Sequence, residues 1–246
     1  MVTKVVPGLL IATPEPAQAA KEACARILKH LHEAIAERGA ATIALSGGAS
    51  PIDTYRLLAK AAIDWRKVHV FWVDERAVDP SHARSNFGHA KKALLDPAAI
   101  PESNIHRMHA EAPDLEAAAR DYEALLRAKV DRDVGGLPSI DVLVMGIGDD
   151  GHTASLFPGE PTVHVTDRLV AAVPAAGEHE ARMTLTAPAL ENARASVFLV
   201  LGKAKHAALE RIWATQGEVA ETPARVVRHF RGAICWVIDR AAGGMG

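Results

Sequence analysis

Apolar residues along the chain switch repeatedly between two spacings. From 16 to 38 they recur at Ala20, Ala23, Ile27, Leu31 and Ile35, a single helical stripe, and Gly39 follows as a stop. Thr42-Ile43-Ala44-Leu45 is a short, mostly apolar run that reads as a buried strand, and Pro51 opens a helix through about Ala62. Val68-His69-Val70-Phe71-Trp72-Val73 is β-branched and aromatic, again a strand. A polar loop from Asp74 to Ser85 leads into a helix ending near Leu95. The next helix covers 114–130, with Leu115, Ala118, Tyr122, Leu125 and Leu126 on one side.

Three further strands follow: Asp141–Met145, Val197–Leu201 and Ile234–Ile238, with a helix from Lys203 to about Trp213 between the last two. Strands that are apolar on both faces and separated by helices predict a mostly parallel sheet covered on both sides. The fold class is therefore α/β: one three-layer, Rossmann-like domain over residues 1–246, with its site at the carboxyl ends of the strands. Neither a linker nor a repeat interrupts it. Gly243-Gly244-Met245-Gly246 reads as a frayed tail.

Composition narrows the function classes. The formal net charge is −2, with 24% charged and 49% hydrophobic residues, so bulk electrostatics predicts neither a nucleic-acid nor a membrane partner. Cys24 and Cys235 each sit in an apolar pattern and read as buried free thiols, which suits a reducing cytosol. No signal peptide or membrane-length apolar run is visible, and a cytoplasmic location is expected.

Three polar segments each follow a strand, and the fold gathers them along one edge. Ser46-Gly47-Gly48-Ala49-Ser50-Pro51 is either an anion-binding turn of exposed N–H groups or an ordinary strand-to-helix turn. In Asp74-Glu75-Arg76, Arg76 is fitted to clamp an anionic group, while at least one of the two carboxylates is expected to hold the loop. Gly146-Ile147-Gly148-Asp149-Asp150-Gly151 formally matches a dinucleotide turn. Two aspartates facing a pyrophosphate, and Pro158-Gly159 ending any following helix early, argue against that use. The turn instead presents Asp150 and His152 together, the usual equipment for activating water. The chain has twelve histidines, and His30, His32, His89 and His206 lie in helical patterns without such a frame. Nucleophile-elbow, P-loop and zinc-spaced patterns are missing, so no metal or organic cofactor is expected.

Leu45-Ser46-Gly47-Gly48, Asp74-Glu75-Arg76 with Ser85-Asn86-Phe87, and the run from Gly146 to Gly159 resemble the three signature segments of the 6-phosphogluconolactonases. Similarity continues through Arg182-Met183-Thr184-Leu185-Thr186, Gly202-Lys203-Ala204-Lys205 and Pro223-Ala224-Arg225, nearly the whole chain in order. Ala49-Ser50-Pro51 departs mildly from many relatives.

The resemblance implies a core shared with glucosamine-6-phosphate deaminases and a role in the oxidative pentose phosphate pathway. It implies that His152 is the general base, and that Arg76 and Lys203 bind the acid and phosphate ends of the ligand. Combined with the residue reading, Ser46, Gly47, Gly48, Ser50, Arg182 and Lys203 are expected to hold the phosphate of a sugar-phosphate lactone. His152 takes a proton from water, Asp150 orients the ring, and Arg76 meets the developing oxyanion.

Two alternatives stay in view: a deaminase-like isomerase on the same fold, and a sugar-phosphate sensor without turnover. The deaminases carry Asp-Glu-Tyr where this chain has Asp74-Glu75-Arg76. A sensor usually brings a DNA-binding segment, and the roughly 40 residues before the first strand are expected to form one long helix, too little for a helix-turn-helix domain. A monomer or weak homo-oligomer is expected.

Overall fold

A computed structural model describes residues 3–177 and 179–245. The expected helix-and-strand alternation is present, with additions. Strand β1 (Leu9–Thr13) precedes helix α1 (Pro16–Arg38), so the segment before Ala41 is a strand plus a helix, not a helix alone. Pro16 sits in the first turn of α1, where its missing N–H costs nothing, and Gly39 ends the helix at φ 82°, its N–H donating to Ile35 O at 2.9 Å.

Then come β2 (Ala41–Leu45), α2 (Ile52–Leu58), β3 (Val68–Trp72), β4 (Asp74–Arg76) and α3 (Asn86–Ala90), which runs on as a π-helical turn over Lys91–Leu95. α4 (Leu115–Lys129) starts where the Asp114 carboxylate accepts from Ala117 N at 2.9 Å. The rest is β5 (Val142–Met145), β6 (Val170–Val173), β7 (Arg182–Leu185), α5 (Ala187–Glu191), β8 (Ala195–Val200), α6 (His206–Trp213) and β9 (Ala233–Asp239).

Six strands form one sheet in the order β1-β9-β8-β5-β2-β3, every neighbouring pair parallel. β2, β5 and β8 are buried along their whole length, which is why they read as unbroken apolar runs. Cys235 lies near Arg26 and Glu22 of α1, while the next residue, Trp236, meets Trp213 of α6 edge-on at 5.6 Å. Successive strand residues point to opposite faces, so α1 and α6 cover opposite sides of the sheet. Both cysteines are buried and unpaired, and burial pushes their thiols up.

The sequence pattern did not announce a second sheet. β4, β7 and β6 form an antiparallel set in the order β4-β7-β6. Asp74-Glu75-Arg76 is therefore a strand, not the start of a loop. Val73 is the corner: its N–H donates to Leu45 O of the parallel sheet at 2.9 Å, and its carbonyl accepts from Leu185 N of the antiparallel one at 2.8 Å. The tail is also ordered as far as Met245, whose N–H donates to Arg240 O at 2.9 Å. Gly246 lies outside the described residues.

From β2 the chain moves outward to β3, whereas from its neighbour β5 it goes on to β8 on the other side. The loops after β2 and β5 consequently diverge and open a crevice at the carboxyl edge, the position where open α/β sheets bind ligands. Among the described residues, no helix is long and apolar enough to cross a membrane.

Candidate active site

The crevice is a cleft of about 310 Å³, walled by the loops after β2, β5 and β8 and by one corner of the antiparallel sheet. Ser46, Gly47, Gly48, Ser50, Arg76, His152 and Arg182 all line it. The three polar segments beginning at Ser46, Asp74 and Gly146 thus meet the start of β7 along one edge.

The first loop is held from below. Buried Tyr55 of α2 donates its hydroxyl to Ser46 O at 2.7 Å. Gly48 turns the chain at φ 89°, a left-handed conformation that suits glycine. A Cβ on Gly47 would overlap the Asn86 amide, so glycine is required there for space. Among the described residues, the backbone N–H groups of Gly47, Gly48, Ala49 and Ser50 have no acceptor. They are free for an anion.

The second segment separates its two carboxylates by role. Glu75 is buried and accepts from Arg76 N, Asn86 N and Phe87 N at 2.7–2.8 Å, and from Ser85 Oγ at 3.0 Å. Burial pushes its carboxyl up, and the three N–H donors oppose that. It is the loop-holding carboxylate that the sequence leads one to expect. Asp74 is also buried, but it lines the cleft. Its carboxylate accepts from Ser155 Oγ at 2.6 Å and from Asn86 Nδ2 at 3.2 Å, and lies 3.7 Å from Arg182 Nη1. Nothing in the residue pattern singled it out over Glu75.

Arg76 and Arg182 are direct cross-strand partners in the β4–β7 ladder. Burial lowers the Arg182 pKa; Asp74 opposes the shift and the Arg76 charge adds to it. Among the described residues, the buried Nε of each arginine has no partner. Arg182 also stands 5.2 Å from the Phe157 ring centre.

The third segment builds a histidine–aspartate pair by local geometry alone. Gly148 N donates to His152 O at 2.8 Å and Gly151 N to Gly148 O at 3.1 Å, closing a tight turn. Asp150 Oδ1 accepts from His152 N at 3.0 Å and lies 2.7 Å from His152 Nδ1. That contact assigns the ring proton to Nδ1 and the lone pair to Nε2. Gly148 has to be glycine, because a Cβ there would strike both the ring and the carboxylate. Burial pushes the Asp150 carboxyl up, but the His152 contacts outweigh it and bring its pKa down to about 2. Asp150 does not itself line the cleft; it stands behind the imidazole.

One expected residue is elsewhere. Lys203 is exposed, at the start of a 3₁₀ turn after Gly202, and is not part of the cleft wall. Lys205, at the end of that turn, lines the cleft and pairs with Asp149 at 2.6 Å. The sequence offered Gly202-Lys203-Ala204-Lys205 without saying which lysine the turn would carry inward. Among the described residues, no group of three or more His, Cys, Asp or Glu side chains is placed to hold a metal ion.

Residues 14–236 match the family model described as "Glucosamine-6-phosphate isomerases/6-phosphogluconolactonase". The chain belongs to that family. A 6-phosphogluconolactonase of Synechocystis sp. is 43% identical over 217 residues, covering 88% of this chain and 89% of that protein. The solved 6-phosphogluconolactonase of Trypanosoma cruzi superposes with a TM-score of 0.86 at 27% identity, covering 99% of this chain and 98% of that one. A monomeric glucosamine-6-phosphate deaminase has the same fold, with a TM-score of 0.79 at 20% identity over 97% of this chain and all of that one.

Both branches of the family are thus represented by similar folds, and the fold does not choose between them. Within this family chain, the feature bearing on the choice is the third residue of Asp74-Glu75-Arg76. It is an arginine, and its side chain faces the cleft.

Proposed function

We propose that residues 1–246 act as one cytoplasmic catalytic unit that hydrolyses 6-phosphoglucono-1,5-lactone to 6-phosphogluconate, in the oxidative pentose phosphate pathway. The observation that carries this is the cleft itself: a His152–Asp150 pair at 2.7 Å faces two arginines and a lysine. Relatives sharing up to 43% identity over most of the chain and bearing the lactonase name support it.

The phosphate sits on the free N–H groups of the first loop, with Arg182 and Lys205 as its cations. Lys205, rather than the Lys203 expected from the sequence, fills this role. At the other end, His152 Nε2 removes a proton from water as the water oxygen bonds to C1. Asp150 fixes the ring through Nδ1 and stabilises the imidazolium that forms. Arg76 and the Gly146–Gly148 turn meet the developing oxyanion. The C1 bond to the ring oxygen then breaks, and the imidazolium proton goes to that oxygen as it becomes a hydroxyl. The new acid at C1 ionises to a carboxylate.

The test is a pair of assays. Freshly made lactone should disappear faster than its spontaneous rate, and glucosamine 6-phosphate should release no ammonia. Ammonia release would move the activity to the deaminase branch. Saturable sugar-phosphate binding with neither reaction would leave a sensor.

A further inference from the structure

Hydrolysis of the lactone creates a charge that the substrate lacks. A neutral ester carbonyl at C1 becomes a carboxylate, while the phosphate is unchanged. A cleft lined by Arg76, Arg182 and Lys205 would hold such a product more tightly than its substrate, and a product that stays blocks turnover.

The same wall contains one buried acid. Asp74 is only 5% exposed yet lines the cleft. Residues two apart on a strand share a face, so Asp74 and Arg76 of β4 project to the same side. Ser155 Oγ donates to Asp74 Oδ2 at 2.6 Å, which ties the carboxylate to the loop that carries His152, three residues upstream. The same carboxylate also pairs with Arg182 Nη1 at 3.7 Å. Asp74 thus lies on the same cleft wall as the arginine that meets the C1 oxygen and is tied to the histidine loop. Glu75 already holds this corner through three N–H groups and a hydroxyl.

We infer that Asp74 is the residue that makes the product leave: its carboxylate, on the same strand face as Arg76, repels the carboxylate formed at C1 and keeps product affinity below what three cations would set. This rests on the lactonase reaction given above. The neutral carbonyl of the substrate feels little of that repulsion, so the effect discriminates between the two ends of one reaction.

The experiment compares two ligands of equal length. 6-Phosphogluconate carries the C1 carboxylate; glucitol 6-phosphate has a CH₂OH there and the same phosphate. Their dissociation constants are measured calorimetrically at low salt on wild type and on Asp74→Asn. Removing a like charge from the cleft wall should raise the preference for 6-phosphogluconate over glucitol 6-phosphate by about tenfold or more. The ratio is taken within one protein sample, so a partly folded variant does not distort it, and Asp74→Ser gives the same comparison should the amide variant not fold. Equal tightening of both ligands, or no change in the ratio, would overturn the inference and leave Asp74 as a brace between loops. Those outcomes with lactone hydrolysis intact in wild type sink this inference alone; absence of hydrolysis in wild type sinks the reaction and the inference with it.

Discussion

Arg76 and Arg182 lie directly opposite one another in the β4–β7 ladder, two side chains on one face of the sheet, with buried Asp74 as the counter-charge of Arg182. Like charges at opposed positions destabilise a strand pair. The arrangement makes sense as a socket for a ligand with anionic ends. If Arg182 meets the phosphate, which is remote from the bond that breaks, Arg182→Ala should act on KM. Losing one charge-assisted contact costs about 1.5–3 kcal/mol, or roughly one to two decades. Steady-state kinetics checks this, and a sharp fall in kcat with KM unmoved would move Arg182 to the reacting end.

Lys203 and Lys205 separate what the sequence suggested from what the structure shows. Lys205→Ala should raise KM by about tenfold or more, whereas Lys203→Ala should stay within about twofold. Asp149→Asn should lower KM, since Asp149 competes for the Lys205 ammonium at 2.6 Å. The three variants together are read from KM alone; equal effects of the two lysine changes would contradict the placement of the 3₁₀ turn.

Far from the cleft, His69 Nδ1 and His106 Nε2 lie 3.0 Å apart, with the His106 ring stacked on Phe71 at 4.6 Å. Burial first, then the neighbouring His69 and Lys129 charges, lower His106 to about 4 from its ordinary 6.5. The folded form thus holds His106 neutral where the unfolded chain would protonate it. This contribution is fully present above about pH 6.5 and is lost as pH falls towards 4, at most about 3 kcal/mol from the size of the shift. Urea unfolding of wild type should therefore weaken across that window. His106→Gln should flatten the dependence; an unchanged slope would show that other groups set it.

The parallel sheet was legible because β2, β5 and β8 are buried on both faces and so write unbroken apolar runs into the sequence. β1 escaped notice because it is an edge strand with Leu9 and Leu10 exposed. The antiparallel sheet was hidden for another reason. Asp74-Glu75-Arg76 pairs with Arg182-Met183-Thr184 across about a hundred residues, and three polar residues show no period of their own. The His152–Asp150 pair was readable because its turn is local and glycine-framed. Asp74 was not, since its value depends on Ser155 and Arg182 arriving from elsewhere.

The central claim is that His152 takes the proton from water, with Nδ1 held by Asp150 and Nε2 free to act. The most direct test is kcat for lactone hydrolysis by His152→Asn, after subtracting the spontaneous reaction, with 6-phosphogluconate affinity measured alongside. An amide fits the site but cannot accept the proton, so kcat should fall by about 10²–10⁴. Product affinity should stay within a few-fold, because the phosphate contacts are made by other residues. A His152→Asn protein with near-normal kcat would contradict the account and leave attack by unassisted water against the Arg76 oxyanion site in its place.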